Sequence, residues 1–179
     1  MTSKVFSYTI GFVFKRDLKT VKLIRKDTAH KESMKWQHGL LNAVGGTIEL
    51  GETPEECMRR ECLEEFGINV PTWQRLAHFV YTNGLSYNEN GETEKAVVNL
   101  HAYRTVLSDD QYNSITQASR EIPEDFEISE TNNLDIKIVS NLRWMIPAAL
   151  YEEDMGIIRM QLPCDQNSHF LSRYVEHAL

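Results

Sequence analysis

Three glutamates stand close together in the segment 45–68, GGTIELGETPEECMRRECLEEFGI. On a helix that advances about 100° per residue, Glu61, Glu64 and Glu65 project from one stripe. Like charges at i,i+4 cost an isolated helix about 0.2–0.5 kcal/mol per pair, and the C-terminal half of a helix disfavours anions. A cation must offset this repulsion, and either Arg60 or a divalent ion can do so. Oxygen-rich sites of this kind suit Mg²⁺ or Mn²⁺, which bridge to phosphates.

The segment carries clear signals for the ends of that helix. Thr53 is a natural N-cap, Pro54 suits the first helical position, and Glu56 completes a Thr-x-x-Glu capping box. Gly67 is placed to end the helix. The arc beside the glutamates is apolar and is predicted to face a core; it consists of Met58, Cys62, Leu63 and Phe66. Without its surroundings, such a glutamate run is more often a solvated helix face than a metal site.

The rest of the chain must supply a scaffold for this helix. Alternating or apolar runs predict strands at 4–14, 21–26, 40–50, 73–82 and 94–107, the third interrupted by glycines. Residues 27–39 are predicted to be a loop. A short helix followed by loop is expected in 108–133, a strand and a turn in 136–150, and helical spacing marks 166–179. The simplest account is one α+β domain over residues 1–179, with a mixed sheet and few helices.

Residues 46–68 resemble the Nudix box, G-x5-E-x7-R-E-U-x-E-E-x-G-U, where U is a bulky aliphatic residue. Seven fixed positions at ~7% each match by chance about once in 10⁸ windows. The positions that match are Gly46, Glu52, Arg60, Glu61, Glu64, Glu65, Gly67 and Ile68. Cys62 departs from the usual aliphatic residue, at a position that points away from the carboxylates. The resemblance implies a Nudix-type α/β/α sandwich with a mixed central sheet and a catalytic loop–helix–loop.

The resemblance also implies a reaction and roles for its residues. Nudix enzymes hydrolyse a nucleoside diphosphate linked to another group, using Mg²⁺ or Mn²⁺. Glu61, Glu64 and Arg60 would then be catalytic, with Arg60 orienting Glu61 by a salt bridge. The metal would be held by Glu61, Glu64, Glu65 and the Gly45 carbonyl, with Glu52 near it as an outer carboxylate. The general base is left open between a box glutamate and a later one, and the later candidates are Glu121, Glu124 and Glu127.

The substrate is less well defined than the reaction. The lead-in KWQHGLLNAVGG resembles Nudix enzymes that clean nucleoside triphosphates, including oxidised purine forms, and it offers Trp36 and Asn42 to a base. Tyr8, on the first strand, is equally compatible with a role in the core and a role in the base pocket. The favoured substrate is a nucleoside triphosphate, cleaved to the monophosphate. The alternatives are ADP-ribose, NADH or a dinucleoside polyphosphate, and a non-catalytic nucleotide-binding module is disfavoured because the box is complete.

The composition of the chain disfavours some classes of binding partner. The formal net charge is -7 without a basic stripe, which disfavours broad nucleic-acid binding and leaves a small anionic nucleotide to be received through a metal. No apolar run approaches the roughly 20 residues that span a bilayer. Three cysteines without a CxxC pair favour reduced thiols and a cytoplasmic location. Many members of the resembled family are dimers, so a homodimer is left open.

Overall fold

The computed structural model describes residues 4–30, 37–87 and 93–161. Seven strands within these ranges form one sheet in the order β3-β2-β1-β5-β4-β7, with β6 also paired to β2. The strands are β1 (Lys4–Lys15), β2 (Thr20–Arg25), β3 (Leu41–Asn42), β4 (Gln74–Tyr87), β5 (Thr93–Leu107), β6 (Ile122–Glu127) and β7 (Ile157–Gln161). The helices are α1 (Pro54–Phe66), α2 (Asp109–Asn113) and α3 (Leu142–Ala148), with a 3₁₀ turn at Ile128–Asn132.

The sheet is mixed. β1 runs parallel to β5 from the pair Lys4 and Ala96 to the pair Lys15 and Leu107, and β7 runs parallel to β4. The pairings of β1 with β2, β2 with β3, β2 with β6, and β4 with β5 are antiparallel. The predicted mixed sheet is therefore confirmed.

Two apolar clusters lie on the two faces of this sheet. One joins α1 and α2 to the sheet and includes Met58, Phe66 and Tyr112. The other joins α3 to the opposite face and includes Phe12 and Leu142. Fully burying a side chain of this size stabilises the fold by about 1.5–3 kcal/mol. The helices thus enclose the sheet from both sides, as the predicted α/β/α sandwich requires.

Helix α1 begins and ends where its sequence signals predict. The Thr53 side chain accepts a hydrogen bond from the Glu56 backbone, and the Glu56 side chain accepts one from the Thr53 backbone, so both halves of the capping box are present. Gly67 ends the helix in the left-handed conformation, at φ 69°. Cys62 is buried as predicted. The prediction for Leu63 was wrong: its side chain is 53% exposed, because the core-facing stripe is narrower than the predicted arc.

Several elements differ from the predictions. The expected strand at 40–50 is reduced to two residues of β3, with isolated bridges at Val44 and Thr47, because the glycine pair bends the chain. The part of 108–133 that was predicted to be loop contains β6, a six-residue strand that includes a proline. The expected strand and turn at 136–150 contain helix α3, whose buried residues Leu142, Met145 and Ile146 follow the helical spacing.

Strand β7 was not predicted from the sequence, and it lies at the edge of the sheet beside β4. The segment 166–179, which has helical spacing, lies outside the described residues. Among the described residues, no helix combines the length and apolar content needed to cross a membrane.

Candidate active site

Arg60 connects three of the predicted carboxylates. Its Nε lies 2.9 Å from Glu52 Oε1 and its Nη2 lies 3.0 Å from Glu52 Oε2, which makes this pair bidentate. Its Nη1 donates to Glu61 Oε1 at 2.8 Å and to Glu64 Oε2 at 3.4 Å. Arg60 lowers the pKa of Glu52 to about 2. The guanidinium therefore holds the predicted outer carboxylate and the helix carboxylates in one fixed group.

Glu61 is enclosed between Arg60 and the glycine pair. Its side chain is 13% exposed. A Cβ on Gly46 would stand 2.2 Å from Glu61 Oε1, so glycine at this position makes room for the carboxylate. Burial raises the pKa of Glu61, and Arg60 opposes that effect. Glu64 differs, because its side chain is 57% exposed and its contact with Arg60 is longer.

Glu65 lies deeper than the other two helix carboxylates and meets a lysine there. Lys26 Nζ lies 3.1 Å from Glu65 Oε1 and 2.8 Å from Glu121 Oε2. The backbone N–H of Gly45 donates to Glu65 Oε2 at 3.1 Å. Burial raises the pKa of Glu65, Lys26 opposes this rise, and Glu121 adds to it. Burial disfavours the charged form of Lys26, but the two carboxylates outweigh it and raise the pKa of the ammonium.

The structure separates the three later glutamates. Glu121 is linked to Glu65 on helix α1 through their shared contact with Lys26. Glu124 accepts a hydrogen bond of 2.6 Å from Arg25 Nη2, and Glu127 accepts one of 3.3 Å from the hydroxyl of Thr20. Of the three candidates for a late base, Glu121 is thus the one that lies beside a box glutamate.

A divalent cation fits the chemistry of this donor set. The ammonium of Lys26 already shows that the space between Glu65 and Glu121 accepts a cation. Glycine at position 45 is required by the backbone, because its φ is 148° and a Cβ would stand 2.2 Å from the Thr9 carbonyl oxygen. No three His, Cys, Asp or Glu side chains in the described ranges are grouped closely enough to hold an ion as they stand. A shared ion would require the three helix carboxylates to move closer together, with Glu65 turning away from Lys26.

A pocket opens beside the glycine pair, on the face of the sheet that carries α3. Its lining includes Tyr8 and Leu100 from the sheet, Asn42 and Gln37 as amides, and Lys26 at its end. The Asn42 amide nitrogen lies 3.4 Å from Gln37 Oε1, and its oxygen accepts from the Ala43 backbone N–H at 2.9 Å. Apolar walls with two amides and one cation suit a flat heterocycle joined to an anionic group.

Two of the three residues predicted to bind the substrate line this pocket. Tyr8 and Asn42 line this pocket together, and Tyr8 is half-buried with its ring stacked on Phe6 at 6.4 Å between centroids. Trp36 lies outside the described residues. Sequence reasoning missed Lys26 and Gln37. Lys26 gave one weak signal, because it is the last residue of a predicted strand, and Gln37 gave none that distinguishes it from a loop residue.

Comparison with known proteins defines the class. A family model described as NUDIX domain matches residues 7–155. The chain therefore belongs to the NUDIX family, whose members are hydrolases acting on pyrophosphate bonds of nucleotides.

Named relatives and solved structures agree with that class. The chain is 32% identical over 93 residues to a Danio rerio protein named oxidized purine nucleoside triphosphate hydrolase, covering 51% of this chain and 52% of that protein. It thus spans about half the length of this curated relative. The MutT protein from Bacillus halodurans has a similar fold, with a TM-score of 0.58, 18% identity and coverage of 87% and 90% of the two chains. The Escherichia coli ORF135 protein gives a TM-score of 0.55 at 16% identity, covering 83% and 90%.

Proposed function

We propose that this protein is a metal-dependent nucleotide pyrophosphohydrolase that converts a nucleoside triphosphate, including oxidised purine forms, to the monophosphate. The observation that carries the proposal is the position of Glu61, Glu64 and Glu65. They lie on one helix beside Gly45 and Gly46, and the pocket that contains Asn42 opens next to them. A carboxylate cluster next to a pocket for a heterocycle is the arrangement that cleavage of a nucleotide phosphoanhydride needs.

The cation expected in this site is Mg²⁺ or Mn²⁺, held by Glu61, Glu64 and Glu65, with the Gly45 carbonyl and Glu52 contributing at its edge. When bound, it would neutralise phosphate charge and acidify a water. The chain's own residues do the remaining work. Arg60 holds Glu61 in position at 2.8 Å, and the pocket residues Tyr8 and Asn42 orient the base.

Glu64 is the helix carboxylate best placed to accept a proton from the attacking water. It is the most exposed of the three, and its 3.4 Å contact with Arg60 leaves it the least constrained. Glu121 is the later alternative, because it lies beside Glu65 through Lys26. Removing a general base typically slows the reaction about 10²–10⁴-fold.

A substrate panel tests the proposal. Purified protein with Mg²⁺ or Mn²⁺ is incubated with NTPs, oxidised dNTPs, ADP-ribose, NADH and diadenosine polyphosphates, and released phosphate and pyrophosphate are measured. We expect the highest kcat/KM on nucleoside triphosphates with pyrophosphate as product. The Glu64→Gln variant should lose about 10²–10⁴-fold in kcat. The Glu55→Gln variant, on the exposed side of the same helix, should retain wild-type activity. Absence of turnover on every compound would refute the proposal.

A further inference from the structure

Lys26 is a buried cation at the centre of the carboxylate site. Its side chain is 11% exposed, and those of its partners Glu65 and Glu121 are 11% and 16% exposed. A charge removed from water to this degree must be paired, because its desolvation otherwise costs several kcal/mol. Both carboxylates satisfy that requirement, and Lys26 satisfies theirs.

The fold places the lysine there by backbone contacts. β2 and β6 pair antiparallel with Arg25 opposite Ile122, so Lys26 and Glu121 face each other one residue beyond the strand ends. The Lys26 N–H donates to the Leu40 carbonyl, and the Lys26 carbonyl accepts from the Gly39 N–H, both at 2.9 Å. The lysine backbone is therefore fixed between two neighbouring segments, and the flexible part is the side chain.

Glu65 cannot serve Lys26 and a divalent ion equally at the same time. Its Oε1 faces the ammonium at 3.1 Å, and its Oε2 already accepts from the Gly45 N–H. A divalent ion at Glu65 would stand within a few ångströms of the ammonium, where like charges repel strongly because little water separates them. One of the two cations has to withdraw.

We infer that Lys26 is a built-in counter-ion: in the substrate-free protein, Glu65 and Glu121 hold its ammonium in the position that the metal would take at Glu65, and a divalent ion must displace it. The inference rests on the proposed function, because it concerns the same site. Lys26 also lines the pocket beside Asn42, so the displaced ammonium stays within the site, where an anionic phosphate compensates its charge. Metal binding is consequently weak in the free protein and strengthens when a nucleotide is present.

Direct measurement of Mn²⁺ binding to the substrate-free protein tests this inference. The dissociation constant is determined by electron paramagnetic resonance of free Mn²⁺ and by calorimetry, for the wild type and for Lys26→Met. We expect Lys26→Met to bind the first Mn²⁺ at least about tenfold more tightly, which corresponds to about 1.4 kcal/mol. At the same Mn²⁺ concentration, the Tm of Lys26→Met should also rise by more than that of the wild type, since the stabilisation of the folded state grows with the logarithm of ligand affinity.

Two variants make the test specific. Lys22→Met is the matched control, because Lys22 lies on β2, the strand that leads into Lys26, is similarly buried and pairs with a carboxylate, Asp125, that is not part of the site. Its Mn²⁺ affinity should stay within about twofold of the wild type, far below the tenfold step set for Lys26→Met. Lys26→Gln keeps a hydrogen-bond donor toward both carboxylates without the charge, so it provides a folded protein if the methionine variant unfolds. Its affinity should also rise.

The outcomes separate this inference from the proposed function. Equal or weaker Mn²⁺ binding by both folded Lys26 variants, with normal binding by the wild type, would overturn the counter-ion role and leave the hydrolase proposal intact. Failure of the wild type to bind Mn²⁺ even with a nucleotide present would overturn both. An unchanged affinity gain from added nucleotide in Lys26→Met would likewise contradict the exchange, because that gain depends on releasing the lysine.

Discussion

Replacing Gly46 by alanine tests the position of Glu61, one of the carboxylates proposed to hold the metal. The backbone φ of Gly46 lies outside the left-handed region, so alanine is not strained by the main chain. The new Cβ would stand 2.2 Å from Glu61 Oε1, 2.5 Å from its Cδ and 2.8 Å from its Oε2. These are all side-chain atoms of one residue. The clash of the new Cβ therefore falls first on the Glu61 carboxylate.

The magnitude follows from that geometry. Real Cβ atoms essentially never approach another heavy atom within 3.0 Å, so the Glu61 carboxylate must retreat by nearly 1 Å or rotate away. Either movement stretches its 2.8 Å contact with Arg60. Misplacing a reacting group by about 1 Å costs about 100-fold in rate, or ~2.7 kcal/mol of transition-state stabilisation. We expect kcat to fall by that factor while Tm changes by only a few degrees.

The assay measures kcat and KM for pyrophosphate release together with thermal unfolding. Gly156→Ala is the matched control: Gly156 has φ 70° and open space around its Cβ position, far from the site. That control should lose about 1 kcal/mol of stability to backbone strain and keep its kcat. Wild-type kcat in Gly46→Ala would refute the reasoning, because it would mean that Glu61 need not stay where the structure places it.

Three further predictions concern stability and thiol chemistry. Burial is the main cause that raises the pKa of Cys57 and of Cys62 to about 12. Neither thiol should therefore react with iodoacetamide at pH 8 in the folded protein, which peptide mass spectrometry would show. Rapid labelling of either thiol would contradict this burial. Burial, and to a lesser extent the charge of His78 whose ring is stacked 4.2 Å away, lowers the pKa of His101 to about 4. Because the unfolded chain takes up this proton near pH 6.5, stability should fall as pH drops from about 6.5 to about 4, by ~1 kcal/mol for a half-buried group, and His101→Asn should flatten the curve measured by urea unfolding. Thr53→Ala removes one half of the capping box and should cost about 1 kcal/mol in urea unfolding, whereas an unchanged midpoint would argue against the cap.

The box helix was predictable because its signals are local. Thr53 and Gly67 act on backbone groups within four residues, and the stripe of Glu61, Glu64 and Glu65 follows from helix geometry alone. The Lys26 contact was not predictable, since it joins residues 39 and 95 positions apart through the pairing of β2 with β6. A buried lysine and an exposed lysine look the same in one sequence until the carboxylates around them are placed.

The missed elements have the same cause. β6 has only Phe126 buried along its length, so its pattern is too weak to mark a strand, and it exists because β2 offers a partner. Helix α3 is seven residues long with Pro147 inside it, and a short apolar run of this kind fits a strand or a helix equally well. Contacts with the sheet decide both cases.

The parallel pairing of β1 with β5 has a consequence for how the protein reaches its native state. These strands align over twelve residues although about 90 positions separate each pair along the chain, as between Ile10 and Ala102. The α1 face of the sheet needs both strands, since Val13 and Tyr103 pack in the same cluster as Met58. Distant pairing of this kind slows folding, because the entropy of closing the long loop is lost before the strand contacts form. During synthesis, helix α1 therefore has a complete surface to pack against only after residue 107 has emerged.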